Sequence, residues 1–407
     1  MVYTDCRLIF IKASCSRGFA SLFATLQDRA AIGVKLRFMS HSTDVFVIGG
    51  GPAGLASAIA ARQRGLEVVI ADGNKPPIDK PCGEGLMPDS ITALRQLGVE
   101  FSASDGYPFR GIRFVDGDTS VMARFPQATG VGLRRTILHQ KMLERAAILG
   151  VRFLWEMPVT GLQQNGVTLA DGTSVSARWI VGADGSQSQV RRWKRLYLSH
   201  PRRSRFARRG HYRVTPWSDC VEVYWSDNSQ AYVTPVSQNE VCVVVVSREP
   251  NGRLQPALSA FPELARRLDC AESPRSERGA ITVMRRLPRV CRGNVALIGD
   301  ASGSVDAITG EGLSLSFRQA EALAVAMATN NLASYQEAHR SFSRRPTFMA
   351  RLLLLLDGRP WLRQRTLKVF QNHSDVFARL ISIHIGETSP AHFAATGALL
   401  GWRFLAA

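Results

Sequence analysis

The sequence predicts an α/β protein with two interleaved domains and a C-terminal helical region. Three observations predict this class. Residues 44–71 follow a βαβ pattern, β-prone runs alternate with turns over residues 151–181 and 211–247, and helical spacing resumes at Gly312. A strand predicted at residues 295–298 returns to the first domain after the second sheet. The first domain must therefore be assembled from separated segments of the chain.

The first element is the apolar run Asp44–Ile48, which is typical of a strand buried on both faces. A loop of the form GxGxxG follows, then a helical stretch over residues 53–64 and a second strand over residues 66–71. Glycines there allow a tight turn, a close approach of the backbone to a pyrophosphate and close packing of the helix on the sheet. The residues expected to bind a dinucleotide are Gly49, Gly51, Pro52, Ala53 and Gly54.

Asp72 ends the second strand, about twenty residues after the glycine loop, where a carboxylate can accept hydrogen bonds from ribose hydroxyls. Two further motifs occur much later in the chain. Residues 181–185 read VGADG, and residues 296–312 read ALIGDASGSVDAITGEG and lead into a helix predicted over residues 313–328. Each motif alone is a weak signal. The glycine loop, the VGADG segment and the segment 296–312, found in this order, indicate that all three bind the same ligand.

These three motifs resemble those of the FAD-dependent aromatic-ring hydroxylases (group A flavin monooxygenases) and of their relatives, the geranylgeranyl reductases and flavin halogenases. The resemblance covers about residues 44–328. It implies a Rossmann-type FAD-binding domain, glutathione-reductase-like and p-hydroxybenzoate-hydroxylase-like, interleaved with an antiparallel-sheet substrate domain. It also implies FAD as cofactor and NAD(P)H as a transient hydride donor. No second glycine-rich loop is expected, because group A hydroxylases lack one.

The resemblance sets expected boundaries. The FAD-binding domain comprises residues 42–75, 128–190 and 281–330, and the substrate domain comprises residues 76–127 and 191–280. Residues 331–407 form a C-terminal helical region. Residues 1–41 are an extension, and a chain that begins at Met39 is expected to fold and bind FAD without residues 1–38.

The family's cofactor contacts carry over to matching positions. Asp184 and Gly185 are expected near the ribityl chain and the pyrophosphate. Asp300, which follows Gly299, is expected to hold ribityl hydroxyls. An arginine that precedes leucines at helical spacing also contacts the cofactor in the family; Arg135 matches it best, and Arg134 is the alternative.

Gly310, Glu311 and Gly312 precede the helix predicted over residues 313–328. Backbone N–H groups at that helix start can point at the N1–C2 edge of the flavin, where reduction places negative charge. Glycine lets the backbone lie against the ring. Gly310 and Gly312 are therefore expected to contribute to catalysis as well as to cofactor binding.

Residues 80–85, KPCGEG, resemble a segment of the geranylgeranyl reductases in which a cysteine lies close to the flavin ring. Cys82 is therefore a candidate active-site residue, and a small buried residue in a tight loop is the alternative. The tryptophan motif of the halogenases is missing, because Trp217 and Trp225 stand alone.

The formal net charge is +18, and residues 186–217 contain no acid but many arginines. They predict either a solvated basic face or attraction of an anionic partner, such as NADPH phosphates, an acidic substrate or a membrane surface. Nucleic acid is not expected, since no recognition helix, aromatic platform or zinc spacing accompanies them. Seven cysteines without a CxxC pair favour a reducing, cytoplasmic compartment and no metal site.

The leading functional hypothesis is an NAD(P)H-dependent monooxygenase that acts on a largely apolar organic substrate. The alternative is reduction of isoprenoid double bonds, which the KPCGEG and TGEGL segments favour. A third hypothesis is a non-catalytic FAD-fold protein that binds lipid or prenyl cargo. The tail GALLGWRFLAA favours either a packed helix or peripheral membrane contact. The sequence sets no oligomeric state.

Overall fold

A computed structural model describes residues 42–126, 128–196, 204–272, 274 and 276–386. The strands of this part of the chain are β1 (Ser42–Ile48), β2 (Val68–Ala71), β3 (Gly85–Leu86), β4 (Tyr107–Phe109), β5 (Gly111–Asp116), β6 (Thr119–Arg124), β7 (Gly130–Gly132), β8 (Arg152–Leu154), β9 (Val159–Gln163), β10 (Gly166–Leu169), β11 (Ser174–Gly182), β12 (Arg205–Tyr212), β13 (Val221–Trp225), β14 (Ser229–Ser237), β15 (Glu240–Ser247), β16 (Arg278–Thr282), β17 (Arg285–Arg286), β18 (Cys291–Arg292), β19 (Val295–Leu297) and β20 (Gly303–Ser304).

The α-helices of the same ranges are α1 (Pro52–Arg62), α2 (Pro88–Gln96), α3 (Arg135–Ile148), α4 (Gln189–Trp193), α5 (Leu254–Ala257), α6 (Pro262–Leu268), α7 (Gly312–Ala328), α8 (Leu332–Asp357), α9 (Pro360–Asn372) and α10 (Ser374–His384). α1 and α2 both begin at a proline, whose fixed φ suits the first helical position. Among the described residues, no helix is both long enough and apolar enough to cross a bilayer.

The first sheet has the order β18-β19-β11-β1-β2-β8, and β10 and β9 extend it from β11. β1 pairs in parallel with β2, as the βαβ pattern predicts, and also with β11. Val45, Phe46 and Val47 are fully buried, and α1 packs against β1 and β2 and in turn against α7. The carboxyl ends of these parallel strands meet at one edge, which is where the sequence motifs lie.

The second sheet has the order β16-β12-β15-β14-β13-β5-β6. Every pair is antiparallel except β13 with β5, which is parallel. β5 comes from an earlier part of the chain and extends the sheet on the outer side of β13. Residues alternate between the faces of β15. Val241, Val243 and Val245 pack under α5 and α6, whereas Cys242 and Val244 face the opposite side. The predicted class, an FAD-type α/β fold with an antiparallel sheet domain and C-terminal helices, is confirmed.

The C-terminal helices pack on the β5–β13 end of the second sheet. Phe377 of α10 contacts Phe114 of β5, with ring centroids 5.2 Å apart, and Phe370 of α9 stacks on Phe377. Leu353 and Leu356 of α8 are buried in the same cluster. The expected extension, residues 1–41, and the apolar tail lie outside the described residues.

Candidate cofactor and active site

The glycine loop forms a cradle that side chains cannot enter, except at one position. A Cβ atom at Gly54 would collide with the carbonyl oxygen of Gly49, and a Cβ atom at Gly50 would enter the ring of Trp155. Gly49 itself has a φ of +110°, which favours glycine. A Cβ atom at Gly51 would meet no protein atom within 4 Å. Gly51 therefore borders open space into which a ligand fits.

Asp72 stands beside this loop with its carboxylate already oriented. Its Oδ2 accepts a hydrogen bond from the backbone N–H of Gly50 at 2.8 Å, and its Oδ1 accepts one from the N–H of Asn74 at 2.8 Å. Trp155, which follows β8 at the same edge, stacks on Phe153 at a centroid distance of 5.3 Å. Sequence reasoning missed Trp155, although an aromatic residue directly after a parallel strand was a usable signal.

The VGADG segment lies directly against the glycine loop. A Cβ atom at Gly49 would lie 2.7 Å from the carbonyl carbon of Ala183. Asp184 caps α4, because its Oδ2 accepts hydrogen bonds from the N–H groups of Gln189 at 2.7 Å and Val190 at 3.1 Å. Its Oδ1 is buried and has no hydrogen-bond partner among the described residues. That orphaned oxygen fits a hydroxyl donor from a bound group.

Positive side chains surround Asp300, in the 3-10 turn that follows β19. Asp300 opens to the cleft but is enclosed by protein on most sides, and this desolvation raises the pKa of its carboxyl. Arg135, Lys80 and Arg285 act in the opposite sense. The Nε atom of Arg135 is buried and lacks a hydrogen-bond partner among the described residues. Cations around the cleft, with an unused donor, fit a pyrophosphate.

The structure distinguishes the two arginines that the sequence left as alternatives. Arg134 pairs with Glu240 at 2.6 Å, whereas Arg135 acts electrostatically on Asp300. One helical turn later, Nε2 of His139 contacts the carbonyl oxygen of Gly50 at 2.9 Å. Burial lowers the pKa of His139, which favours the neutral ring there.

Gly310 adopts a φ of +66°, and α7 begins two residues later with no side chain capping its N–H groups. The first N–H groups of the helix therefore have no side-chain cap, and the cofactor and catalytic roles of Gly310 and Gly312 stay predictions. The side chain of Glu311 turns the other way. Its Oε1 lies 3.4 Å from Nη2 of Arg345, its Oε2 lies 3.6 Å from Nδ1 of His384, and burial raises its pKa to about 8. Glu311 can serve a cofactor only through its backbone.

The loop that contains Cys82 spans the cleft. Nζ of Lys80, before Cys82, lies 3.9 Å from where a Cβ atom at Gly185 would stand, and Cε of Met87, after it, lies 3.6 Å from the corresponding position at Gly310. Between them, the carbonyl oxygen of Cys82 accepts a hydrogen bond from Sγ of Cys242 at 3.7 Å. Cys82 therefore lies between the cofactor motifs and the second sheet.

Glu84, two residues later, is the most connected group of this loop. Its Oε2 lies 2.7 Å from Nε2 of His211. Its Oε1 accepts hydrogen bonds from Nη1 of Arg209 at 3.1 Å and from the N–H of Arg135 at 3.0 Å. Glu84 is buried and has a φ of +59°, which is rare for a residue with a side chain. Sequence reasoning missed Glu84; the signal was an acid inside a glycine motif.

Glu84, His211 and Cys242 are also metal-binding residue types, and their donor atoms lie within 4.8 Å of one another. However, one oxygen of Glu84 already binds the Arg209 guanidinium, whose charge opposes a cation at this place. We therefore treat the cluster as an ion-pair network.

An apolar strip lies beside this network, on the face of the second sheet that carries His211. It comprises Ala207, Tyr232, Val244 and Val246. Arg205 bounds the strip at the far end, where its Nε binds Oδ2 of Asp306 at 3.2 Å. The strip is therefore an apolar surface that lies between charged groups.

The arginine-rich run does not form a continuous solvated face. Arg191 is buried and donates to the carbonyl oxygens of Ala301, at 3.0 Å, and Ser186, at 2.6 Å. Arg205 and Arg209 are buried as well and pair with acids from distant segments. The hypothesis of a wholly solvated basic face is therefore wrong for these three residues, because each neutralises an internal acceptor. Arg202 and Arg203 lie outside the described residues.

Together these features fit FAD. The glycine cradle and the cations suit a pyrophosphate, Asp72 and Asp184 suit hydroxyl groups, and the uncapped α7 suits a ring edge that becomes negative on reduction. Predicted residues from all three motifs lie around one cleft. Their individual roles remain predictions.

Comparisons with known proteins agree with this arrangement. Residues 42–341 match a family described as "FAD binding domain". Menaquinone reductase of Mycobacterium tuberculosis (strain ATCC 25618 / H37Rv) is 30% identical over 306 residues, which cover 68% of this chain and 74% of that protein. FAD-dependent urate hydroxylase of Mycolicibacterium vanbaalenii is 27% identical over 340 residues, which cover 72% of this chain and 83% of that protein.

Among solved structures, the flavin-dependent brominase Bmp2 superposes with a TM-score of 0.75 at 19% identity. The alignment covers 89% of this chain and 99% of the brominase, and it shows a shared fold. The chain belongs to the FAD-binding-domain family and is an FAD-dependent oxidoreductase of the aromatic-ring hydroxylase and geranylgeranyl reductase superfamily.

Proposed function

We propose that this protein reduces a carbon–carbon double bond in the prenyl chain of an apolar substrate, with NAD(P)H as the electron donor. The observation that carries the proposal is the partly buried contact between Glu84 and His211, beside the apolar strip. Reduction of an alkene adds a hydride to one carbon and a proton to its neighbour. The addition of the proton needs a proton donor beside the apolar substrate, and the Glu84–His211 pair next to the apolar strip can supply one.

FAD, when bound and reduced, supplies the hydride. Ala207, Val244 and Val246 exclude water and orient the apolar chain. In this proposal the Nε2–H group of His211 donates to Glu84, whose carboxylate stabilises the imidazolium, and the proton on the other ring nitrogen, Nδ1, is the one that passes to the substrate carbon. Arg209 and the N–H of Arg135 fix the carboxylate in place. Because His211 is partly exposed, it can take its next proton from water.

Two further points support this substrate class. Menaquinone, in the name of the M. tuberculosis relative, is a quinone with a prenyl chain. Residues 80–85 resemble a segment of the geranylgeranyl reductases, and in this protein they carry both Cys82 and Glu84 between the cofactor motifs and the strip. An apolar substrate matches the composition of the strip.

Hydroxylation of an apolar substrate is the second candidate. It is favoured by the urate hydroxylase relative, whose alignment covers 72% of this chain. The same cleft would then serve a reaction that consumes oxygen. The two candidates therefore differ in their need for oxygen.

Rapid mixing of the photoreduced holoprotein with substrate, in the absence of oxygen, separates the two candidates. A menaquinone with a short prenyl chain and geranylgeraniol are suitable substrates. We expect flavin absorbance to return without oxygen, because electrons pass directly to the substrate. Flavin that stays reduced until air is admitted, and is then reoxidised faster with substrate present, would support hydroxylation instead.

A further inference from the structure

A second cleft, of about 730 Å³, is lined by residues of β17, β20 and α8. Ser302, Gly303 and Ser304 also line it, so it adjoins the segment that carries Asp300. Of the residues assigned above to the cofactor cleft, Arg285 alone is shared between the two. The second cleft is therefore distinct from the site expected for FAD, and its size is typical of a ligand pocket.

This second cleft is strongly basic. Its described lining residues include neither Asp nor Glu, but they include five arginines: Arg285, Arg286, Arg340, Arg344 and Arg351. Two of these come from β17 and three from α8, so cations from two separate elements line one concave surface. A cleft lined by charges of one sign concentrates their field and attracts ions of the opposite sign.

The five guanidinium groups form no ion pair with an acid among the described residues, and only two of them donate hydrogen bonds to other parts of the protein. Arg285 donates to the carbonyl oxygen of Ser186 at 2.6 Å, and Arg340 donates to that of Pro288 at 3.1 Å. The other three have no hydrogen-bond partner within the described ranges either: Arg286, Arg344 and Arg351. Their donors are therefore available to an anion that enters the cleft.

α8 carries its cleft-lining arginines on one face. Arg340, Arg344 and Arg351 are four and seven positions apart, which places them on successive turns of the same side of the helix. Thr347 lies between the last two and also lines the cleft, and its hydroxyl can donate a hydrogen bond to an anion. Arg344 and Arg351 begin about 10 Å apart along the axis, at about 1.5 Å per residue. Such a spread suits an elongated anion with several oxygens.

We propose that this cleft binds the diphosphate group of a ligand. Guanidinium groups bind phosphate oxygens through paired N–H donors, and three unused guanidinium groups match the several charges of a diphosphate better than the single charge of a carboxylate. A soluble nucleotide and a prenyl diphosphate both contain this group, so the chemistry that the cleft recognises is the same for the two sources. The proposal rests on the charge and geometry of the cleft and does not depend on the reaction proposed above.

The test is isothermal titration calorimetry of the full-length, FAD-saturated protein with inorganic pyrophosphate at constant ionic strength. Saturation with FAD keeps pyrophosphate away from the glycine loop. The variant is Arg344→Gln/Arg351→Gln, because glutamine is neutral and favours helix. The control is Arg95→Gln/Arg253→Gln, which removes the same charge at two exposed arginines outside the cleft lining. Flavin content and far-UV circular dichroism check that each protein is folded.

We expect the wild type to bind pyrophosphate at one site and not to bind acetate under the same conditions. The cleft variant should bind pyrophosphate at least about tenfold more weakly, since one charge-assisted hydrogen bond contributes about that factor. The control should stay within about twofold of wild type. Equal losses in variant and control, or no binding of pyrophosphate to wild type, would overturn the proposal.

Competition titrations distinguish the two sources of the diphosphate. The competitors are NADP⁺, which cannot reduce the flavin, and farnesyl diphosphate. Displacement of pyrophosphate at lower concentrations of NADP⁺ would assign the cleft to a soluble nucleotide, and displacement at lower concentrations of farnesyl diphosphate would assign it to a prenyl lipid; both results support the site. If neither competitor displaces pyrophosphate, the cleft holds an adventitious ion only, and the proposal is wrong.

Discussion

Nε2 of His211 lies 2.7 Å from Oε2 of Glu84, although the two residues are 127 positions apart in the chain. The contact ties the loop at the cofactor cleft to β12 of the second sheet. Glu84 keeps a φ of +59° in this position, which indicates that the surrounding contacts hold it there. The Glu84–His211 pair lies beside the apolar strip, and the functional proposal depends on this arrangement.

Replacement of His211 separates the two half-reactions. His211→Phe should leave FAD bound and its reduction by NAD(P)H nearly unchanged, because the ring lies on the substrate side. Transfer from reduced flavin to substrate should slow by about 10²–10⁴-fold, the usual contribution of a general acid. Stopped-flow absorbance measures both rates, and His373→Phe is the matched control. Substrate transfer at the wild-type rate in His211→Phe would remove the pair from the mechanism.

Gly51→Val tests the cofactor cleft without disturbing the fold. A Cβ atom at Gly51 meets no protein atom within 4 Å, so the valine should be accepted but should stand where a pyrophosphate is expected. The purified variant should be colourless and folded by circular dichroism. Gly161→Val, at a position with equally open space on β9, should stay yellow. A Gly51→Val protein with a full complement of FAD would mean that the pyrophosphate does not lie at this loop.

Gly312→Pro tests the start of α7. Proline suits a first helical position and removes one N–H group, but Glu311 before it has a ψ of 2°, which a following proline disfavours, so circular dichroism must first show that the helix is kept. If that N–H faces the flavin, the reduced, anionic ring should lose about 1–3 kcal/mol of stabilisation, and the midpoint potential should fall. Redox titration against a reference dye measures this. Gly312→Ala, which keeps the N–H, should retain the wild-type potential; equal potentials in all three proteins would place the helix start away from the ring.

Glu311 should make the protein less stable as the pH rises. Burial raises its pKa from the usual 4.5 to about 8, so between these values the folded state holds a proton that the unfolded state has released. Stability from this group is therefore lost with increasing pH. Glu311→Gln removes the effect, and its free energy of unfolding relative to wild type should increase by roughly 2–4 kcal/mol between about pH 5 and about pH 8.

Denaturant unfolding at both pH values measures this difference, with Glu337→Gln, an exposed residue of α8, as the control. A constant difference between Glu311→Gln and wild type across the range would show that Glu311 is already ionised in the folded protein.

Local patterns predicted the cofactor side of the fold well. The glycine loop, α1 and the residue that ends β2 are adjacent in sequence, and their spacing reflects contacts made within one βαβ unit. These elements were predictable because the contacts within each motif are made by residues that are close in sequence. The pairing of β1 with β11 was not predicted, because the two strands lie about 130 positions apart and no local pattern links them.

The substrate side depends on distant contacts and was predictable only in outline. Arg209 reads as a surface charge in the sequence, yet it is buried against Asp79, 130 positions earlier. Glu84 and Trp155 contact residues that are distant in sequence: Glu84 contacts His211, and Trp155 lies against Gly50. Glu311 lies inside a cofactor motif, but its side chain turns towards Arg345 of α8. Charge and spacing alone do not show which partner a side chain meets after folding.

The central claim, reduction of a prenyl double bond, is tested most directly by the mass of the product. The holoprotein is incubated without oxygen with NAD(P)H and a menaquinone, the mixture is then exposed to air, and the quinone is analysed by mass spectrometry. Air returns a reduced quinone ring to its starting mass but leaves a saturated prenyl bond unchanged. The account predicts a product that keeps two added hydrogen atoms, located in the side chain by fragmentation. A quinone that returns to its starting mass, or a product that forms only with oxygen and gains an oxygen atom, would contradict it.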